Sequence, residues 1–415
     1  MTKGIVVGVK QTQQHDFEQS MQELELLAEA CNIEVVGEIT QTLQRMNGSQ
    51  YIGKGKMDEV LTLLKACDAD LAIFNDELSP SQLRNLEVGL GCEVIDRTML
   101  ILDIFAERAK TREAKLQVEV ARLQYQLPRL IGLRENLGRQ GGGSGLKNRG
   151  SGETKLELDR RKIEERISAL NKELERLVSE RHTQRHKRQK NQVPIVSLVG
   201  YTNAGKSTIM NKMVEQFGAG SDKQVFEKDM LFATLETSVR HIRLPDNKTF
   251  LLSDTVGFVS GLPHHLVKAF RSTLEEAVQA DVLIHVVDYS NPNYQQHIEV
   301  TNETLKAIGA EGIPMVYAYN KADLTEDKIP TVLESGVVLS AKQGSGMDEL
   351  IELIRPVLFK DYIQCEMLIP YDQGRVVAYL NDNAQVLKTS YEDNGTKLWL
   401  ECQERDFNKF QAYII

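Results

Sequence analysis

The sequence predicts an α/β protein: a doubly wound sheet (residues 193–360) preceded by an N-terminal α/β domain (1–110) and a long antiparallel helical hairpin with a Gly-rich tip loop (111–192), and followed by a small C-terminal α+β domain (361–415). Three observations predict it. Short apolar runs alternate with helical periods in two separate stretches. A helical spacing of apolar residues at 4, 3 and 4 lies between those stretches. An Asn394-Gly395 pair between two short runs closes the sequence as a β-hairpin.

In the first stretch, strands are expected at 4–10, 33–39, Leu71–Phe74 and Cys92–Ile95, with helices at Phe17–Ala30, Met57–Ala66 and Ser81–Gly89. Strand-helix alternation of this kind indicates a parallel sheet. The period then changes. Leu116, Val120, Leu123 and Leu127 mark a helical seam, which Pro128 is expected to end. Beyond Gly141-Gly-Gly-Ser-Gly145 a second seam runs through Ile163, Ile167, Leu170, Leu174 and Leu177. Two such seams read as an antiparallel hairpin. Alternation resumes with strands near 195–199, 250–253, 282–287, 314–319 and 336–339, whose carboxyl ends are where a doubly wound sheet binds its ligand. The final hairpin is expected to pair Gln385–Thr389 with Lys397–Cys402.

Composition narrows the classes. With 41% hydrophobic and 26% charged residues the chain reads as soluble and globular. No run of 18 apolar residues and no signal-peptide architecture at Met1–Val9 are seen, so a cytoplasmic protein without a membrane span is expected. The five cysteines (Cys31, Cys67, Cys92, Cys365, Cys402) are odd in number and lack a C-x-x-C pair, which argues against disulfides or a zinc site. The net charge of −9 is unevenly spread: residues 111–192 carry 20 basic and 11 acidic groups, whereas 1–110 carry 10 and 18. An acidic chain with one basic module keeps most of its surface off nucleic acid and presents one part to it. The plainer reading is that these charges only solubilise exposed helices.

The chemistry lies in the middle. Gly200-Tyr-Thr-Asn-Ala-Gly-Lys-Ser-Thr208 fits G-x-x-x-x-G-K-[ST] between an expected strand and a helix. Backbone N–H groups of Gly200, Asn203, Ala204, Gly205, Lys206, Ser207 and Thr208 would cradle phosphates, Lys206 would reach the β and γ oxygens, and the Ser207 hydroxyl would ligate Mg²⁺. Asp254-Thr-Val-Gly257 closes a strand, so Asp254 can hold the metal through an intervening ligand while the Gly257 N–H meets the γ-phosphate. Between them, Thr234 in Phe232-Ala-Thr234 is the candidate switch threonine and metal ligand, with Thr237 its rival. Asn320-Lys321-Ala-Asp323 decides the base, because a carboxylate can accept from both N1–H and the exocyclic amine of guanine, a donor pair that adenine lacks. Ser340-Ala341-Lys342 supplies the expected backbone contact to guanine O6. The fold class is therefore that of a P-loop GTPase. Phe258 stands where Ras-like enzymes carry a water-orienting glutamine, so intrinsic hydrolysis is expected to be slow, on the order of 10⁻⁴ per second. Asn203 is a candidate K⁺ ligand.

With those motifs in this order, the chain resembles the HflX family of ribosome-associated GTPases, within the Obg–HflX group, over its whole length. The most family-specific stretches are Arg149-Gly-Ser-Gly-Glu-Thr-Lys-Leu-Glu-Leu-Asp-Arg-Arg161 and Tyr51-Ile-Gly-Lys-Gly-Lys56; members usually have proline where this chain has Ser151. The resemblance implies binding to the large (50S) subunit and its 23S rRNA near the peptidyl transferase centre, splitting of 70S particles in the GTP state, and rescue of stalled ribosomes under stress, by a monomer. Some members are also described as binding ATP through the N-terminal domain, but Gly53-Lys-Gly-Lys56 is better read as a solvated turn. Two rivals remain: a non-ribosomal switch whose hairpin is a protein-binding platform, and an RNA-binding factor with a vestigial nucleotide site. Arg129, Arg134, Arg139, Lys147 and Arg149 against Glu135 alone favour RNA phosphate at the tip. Intact Lys206, Ser207 and Asp254 argue against a vestigial site.

Overall fold

The computed structural model describes residues 2–12, 16–132, 149–189, 193–218, 238–260 and 276–415. The chain divides into two compact units, the first holding the N-terminal sheet and the hairpin, the second the larger sheet and the C-terminal domain.

In the first unit, β1 (Thr2–Gln11), β2 (Ile33–Leu43), β3 (Leu71–Phe74) and β4 (Glu93–Asp96) form a parallel sheet in the order β2-β1-β3-β4. Ile5, Val6, Val7 and Val9 are all buried. A continuous apolar run of this kind marks a central strand covered on both faces. Helix α1 (Phe17–Ala30) buries Phe17, Met21, Leu24 and Leu27 on one stripe. Helices α2 (Lys54–Cys67) and α3 (Pro80–Leu90) follow, the latter started by a capping box between Ser79 and Gln82. Helix α4 (Arg97–Arg108) was not expected. Asp96 caps it by accepting from the Met99 N–H at 2.9 Å, and Leu100, Ile101, Ile104 and Phe105 form its buried face.

The hairpin is α5 (Arg112–Gly132) and α6 (Arg149–Gln189). Leu116, Val120 and Leu170 are buried between them, with Leu123, Ile167, Leu174 and Leu177 alongside. The ion pairs Arg112–Glu173 and Arg166–Glu119, the latter 2.8 Å long, run in opposite senses along the two helices and fix the antiparallel arrangement. Pro128 does not end α5, contrary to expectation, but lies inside it. Its ring removes the N–H that would reach the Gln124 carbonyl, and Arg129 donates from its side chain to the next carbonyl, that of Tyr125, at 2.6 Å.

The second unit is built on seven strands in the order β10-β11-β9-β8-β5-β7-β6. The parallel members are β5 (Ile195–Val199), β7 (Thr249–Asp254), β8 (Val282–Asp288), β9 (Met315–Asn320) and β11 (Gly336–Val338). The antiparallel edges, β6 (Ser238–Arg243) and β10 (Thr331–Leu333), were not expected. Among the described residues, helices α7 (Lys206–Phe217), α8 (Tyr294–Ile308) and α9 (Met347–Leu358) accompany this sheet. Its core includes Val196, Leu198, Ile209, Met213, Ile284, Val286, Leu350 and Ile354.

A second, three-stranded antiparallel sheet of β12 (Tyr362–Ile369), β14 (Gly395–Gln403) and β13 (Gln385–Glu392) packs Met367, Leu398 and Leu400 against α10 (Gly374–Asn383) and Phe410, which follows α11 (Glu404–Lys409). It grips the β6–β7 turn. Asn247 Nδ2 donates to the carbonyls of Asn381 and Ala384 at 3.0 and 3.1 Å, and Arg243 donates to Asp382 O at 3.0 Å. Lys248, 5% exposed, pairs with Glu401 at 3.0 Å.

Candidate nucleotide-binding site

The register of the parallel strands sets one edge of the large sheet. Leu198 of β5 lies opposite Asp254 of β7, Val199 opposite His285 of β8, and Asp288 opposite Asn320 of β9. The loops that carry the motifs therefore leave from neighbouring positions.

After β5 the backbone turns through Gly200 (φ 144°), Asn203 (φ 59°) and Gly205 (φ 95°) into the first turn of α7. A Cβ on Gly200 would overlap the Val286 carbonyl oxygen, and one on Gly205 would overlap the Asn320 amide. Both positions need glycine for φ and for space. Lys206 folds back over the loop, its Nζ donating to the carbonyls of Gly200 (3.1 Å) and Tyr201 (2.8 Å). Burial lowers its pKa to about 8, against the raising effect of Asp254. The Ser207 hydroxyl donates to Asp254 Oδ2 at 2.7 Å, and Asp254 is fully buried. Gly257 approaches so closely that a side chain there would meet the Thr202 backbone and Lys206 Nζ.

The base-selecting loops interlock. Asn320 Nδ2 donates to Ala204 O at 2.9 Å, and Asn320 Oδ1 accepts from the Ala341 N–H at 2.9 Å, so one side chain ties the phosphate-type loop to the Ser340-Ala-Lys342 loop. Ser340 Oγ donates to Asp323 Oδ1 at 2.6 Å and orients that carboxylate. Lys342 is exposed and Phe258 is buried. The sequence-expected residues Gly200, Lys206, Ser207, Asp254, Gly257, Asn320, Asp323, Ser340 and Ala341 are thus gathered at one edge. Thr234 and its rival Thr237 lie outside the described residues.

Three features had no place in the sequence reading. His285, 1% exposed, has no hydrogen-bond partner for Nδ1 among the described residues, and burial followed by the Lys206 charge drives its pKa down to about 3. Tyr201 stacks on His297 of α8 with ring centroids 3.8 Å apart. Asp288 pairs with Lys321 at 2.8 Å. An acidic strand end next to a motif lysine is the only one of these that the sequence could have signalled.

The RNA-facing set requires a correction. Arg129 is not at an open tip: its guanidinium lies 3.2 Å from the Tyr125 ring centroid, pairs with fully buried Asp96 at 3.1 Å and donates to Leu78 O at 3.2 Å. A buried carboxylate holds it inward. Arg134, Arg139 and Lys147 lie outside the described residues, and of Arg149 only the backbone, at the start of α6, is described. Gly53-Lys-Gly-Lys56 is an ordinary helix start, with Gly53 at φ −74° and Lys56 paired with Glu59 at 2.6 Å.

A glycine loop before a helix N-terminus, a hydroxyl held by a buried carboxylate and an oriented aspartate at the base position define a P-loop GTPase. Models of three known families match consecutive stretches: "GTP-binding GTPase N-terminal" over 18–106, "GTP-binding GTPase Middle Region" over 108–188 and "50S ribosome-binding GTPase" over 195–321. The GTPase HflX of Caldanaerobacter subterraneus subsp. tengcongensis is 45% identical over 398 residues, covering 96% of this chain and 91% of its own. That of Escherichia coli K12 is 40% identical over 400 residues, covering 95% and 92%. Among solved structures, a GTP-binding protein of Sulfolobus solfataricus in complex with GDP covers 87% of this chain and 99% of its own at 24% identity and TM-score 0.45. The chain belongs to the HflX family of GTPases. It binds and hydrolyses GTP. No helix among the described residues is long and apolar enough to cross a membrane.

Proposed function

We propose that this chain binds the large (50S) ribosomal subunit, contacts 23S rRNA through its hairpin tip and, in the GTP state, splits or rescues stalled 70S ribosomes, with hydrolysis to GDP and phosphate stimulated by the ribosome. The observation that carries this reading is the pairing, in one chain, of an intact nucleotide edge with a segment of 20 basic and 11 acidic groups. The description of the matched family, a 50S ribosome-binding GTPase, supports it. The chain acts as a monomer in the cytoplasm, partly ribosome-associated, and its four sequence segments divide the labour.

In this reading Lys206 neutralises the β and γ oxygens, the Gly257 N–H meets the γ-phosphate, and Asp323 selects guanine beside Asn320, Lys321 and the 340–342 loop. The Ser207 hydroxyl, already oriented by Asp254, is a hard oxygen donor of the kind that Mg²⁺ prefers, and Thr234 would add a second. Bound Mg²⁺ supplies charge neutralisation at the phosphates. Asn203 remains the candidate for K⁺. Phe258 offers no group to orient water, which is the reason hydrolysis waits for the ribosome. The RNA contacts assigned to the tip are Arg134, Arg139, Lys147 and Arg149, without Arg129.

Sedimentation of 70S ribosomes with the protein and a non-hydrolysable GTP analogue tests this. Free subunits are expected with the analogue and intact 70S with GDP; intact 70S in both would return the lead to a non-ribosomal switch. Replacing Arg134, Arg139 and Arg149 with alanine is expected to weaken 50S binding and to flatten its salt dependence by somewhat under one unit for each phosphate that is no longer neutralised.

A further inference from the structure

The middle residue of the base-selecting loop is held in an unusual way. Lys321 has left-handed backbone angles (φ 65°, ψ 24°) at the start of a single 3-10 turn, Ala322–Leu324. Its Nζ donates to Asp288 Oδ2 at 2.8 Å, and both side chains are largely shielded, 25% and 19% exposed. The other oxygen of that carboxylate is also engaged. Asp288 Oδ1 accepts from the Ser290 hydroxyl at 2.6 Å and from the Ser290 N–H at 3.2 Å. The acid is therefore fixed before it meets the lysine.

The ion pair is not needed to join the strand ends. Asp288 and Asn320 are already opposite one another in the sheet, and the Tyr289 N–H donates to Asn320 O at 2.8 Å. What the pair adds is order in the Lys321 side chain, whose torsions are otherwise free and whose freezing opposes any contact that uses the stem. With the ammonium drawn to Asp288, the methylene stem remains as an apolar rail two residues from Asp323. Such a rail suits the face of a flat heterocycle, while the Asp323 carboxylate suits its edge.

We propose that Asp288 is a positioning residue for base recognition: it tethers the Lys321 ammonium, with Ser290 bracing the carboxylate, so that the lysine stem is ordered in advance as the platform for the guanine plane. The inference rests on the reading that Asn320-Lys-Ala-Asp323 holds the base. Asp288 touches no nucleotide and acts through Lys321 alone. Its removal loosens both GDP and GTP, because the platform serves the base and not the γ-phosphate.

Release of GDP and of GTP, followed by fluorescence of their labelled analogues from the full chain, is the test. Asp288→Asn is expected to speed both releases about three- to tenfold, the size of one long side chain's ordering, and to raise KM for GTP more than it lowers kcat. Lys321→Met keeps the stem and removes the tethered charge. In that background Asp288→Asn should add nothing, whereas a purely structural acid would weaken binding equally in both backgrounds. Ser290→Ala, which leaves the ion pair but removes its brace, should give a smaller effect of the same sign. Equal effects of Asp288→Asn in the unmodified chain and in the Lys321→Met variant, or no effect of Asp288→Asn and Ser290→Ala on release, overturn the proposal. Asp323→Asn is run in parallel: if it keeps its preference for GTP over xanthosine triphosphate, the base-site reading itself fails, and if the preference switches while the Asp288 cycle shows no coupling, only the tether fails.

Discussion

Two sheets with parallel strands at their centres differ, among the described residues, in what lies at their carboxyl edges. In the larger sheet the carboxyl edge carries a backbone turn: Gly200, Asn203 and Gly205 sit at positive φ, immediately before the N-terminus of α7. In the N-terminal sheet the same edge is filled by side chains. Tyr51 is bonded to Asp76, Arg97 to Glu23 and Asn75, and Arg129 to Asp96, each largely buried. Burial raises the pKa of Tyr51 and of Asp76. Architecture supplied a carboxyl edge in both cases; in the N-terminal sheet it is occupied by side chains from the segments after β2, β3 and β4 and from α1 and α5.

The strongest way to break the contrast is at Asp323. An amide there turns an acceptor into a donor facing guanine N1–H, so Asp323→Asn should lose GTP affinity on the order of 10³-fold and gain xanthosine triphosphate. Competition binding with the two nucleotides checks it. Next comes a pair of glycine substitutions. Gly200→Ala places a methyl on the Val286 carbonyl at positive φ and should destabilise by about 2–4 kcal/mol, whereas Gly55→Ala, exposed in the first turn of α2 with nothing near its Cβ, should stabilise by about 0.5 kcal/mol. Thermal unfolding of the two variants reads both signs.

Two pH effects are smaller. The pKa of Lys206 is lowered to about 8, and in the proposed reading it is the ammonium form that meets the phosphates. Affinity for GDP should therefore fall as pH rises through about 8, approaching tenfold per pH unit, in a titration from pH 7 to 9.5. His285, with its pKa lowered to about 3, contributes in the opposite direction. Its unfolded form takes a proton near pH 6.5 and its folded form does not, so stability is full above pH 6.5 and is lost as pH falls toward 3, at up to about 1.4 kcal/mol per unit. His285→Gln should flatten that slope in denaturant unfolding between pH 6.5 and 4.5, whatever it does to stability at neutral pH.

Much of this was legible in the sequence because glycine, lysine and aspartate at fixed spacing have few alternative uses. The expected strands and most helices match the observed ones within a few residues, and Phe17–Ala30 and Leu71–Phe74 agree at both ends. What was not legible depended on distant partners. The apolar period of α4 and its Asp96 cap were visible signals left unread. Edge strands β6 and β10 carry too little apolar pattern to announce themselves, since only one residue of β6 and none of β10 is buried. Pro128 read as a helix end because local chemistry says so; the Arg129 side chain, anchored by Asp96 some thirty positions earlier, accompanies the helix through it. Arg129 looked like a free cation for the same reason, as no local rule foresees a buried acid on another element.

The grip of the C-terminal domain on the β6–β7 turn bears on where this chain can be cut. The covalent joint near residue 360 looks like a natural seam, but the surfaces on its two sides complete each other. The Asn247 amide donates to the Asn381 carbonyl in the last turn of α10 and to that of Ala384 just beyond it, and Glu401 is the near neighbour that neutralises the nearly enclosed Lys248. A fragment ending at 360 would expose a lysine shaped for an absent acid and an amide shaped for absent carbonyls, and would also remove the Tyr362 ring that Lys248 now faces at 5.0 Å. Shortened versions of this GTPase should therefore precipitate or unfold more readily than the full chain. Gene fusions that keep the last 55 residues in place, by contrast, would inherit a finished surface.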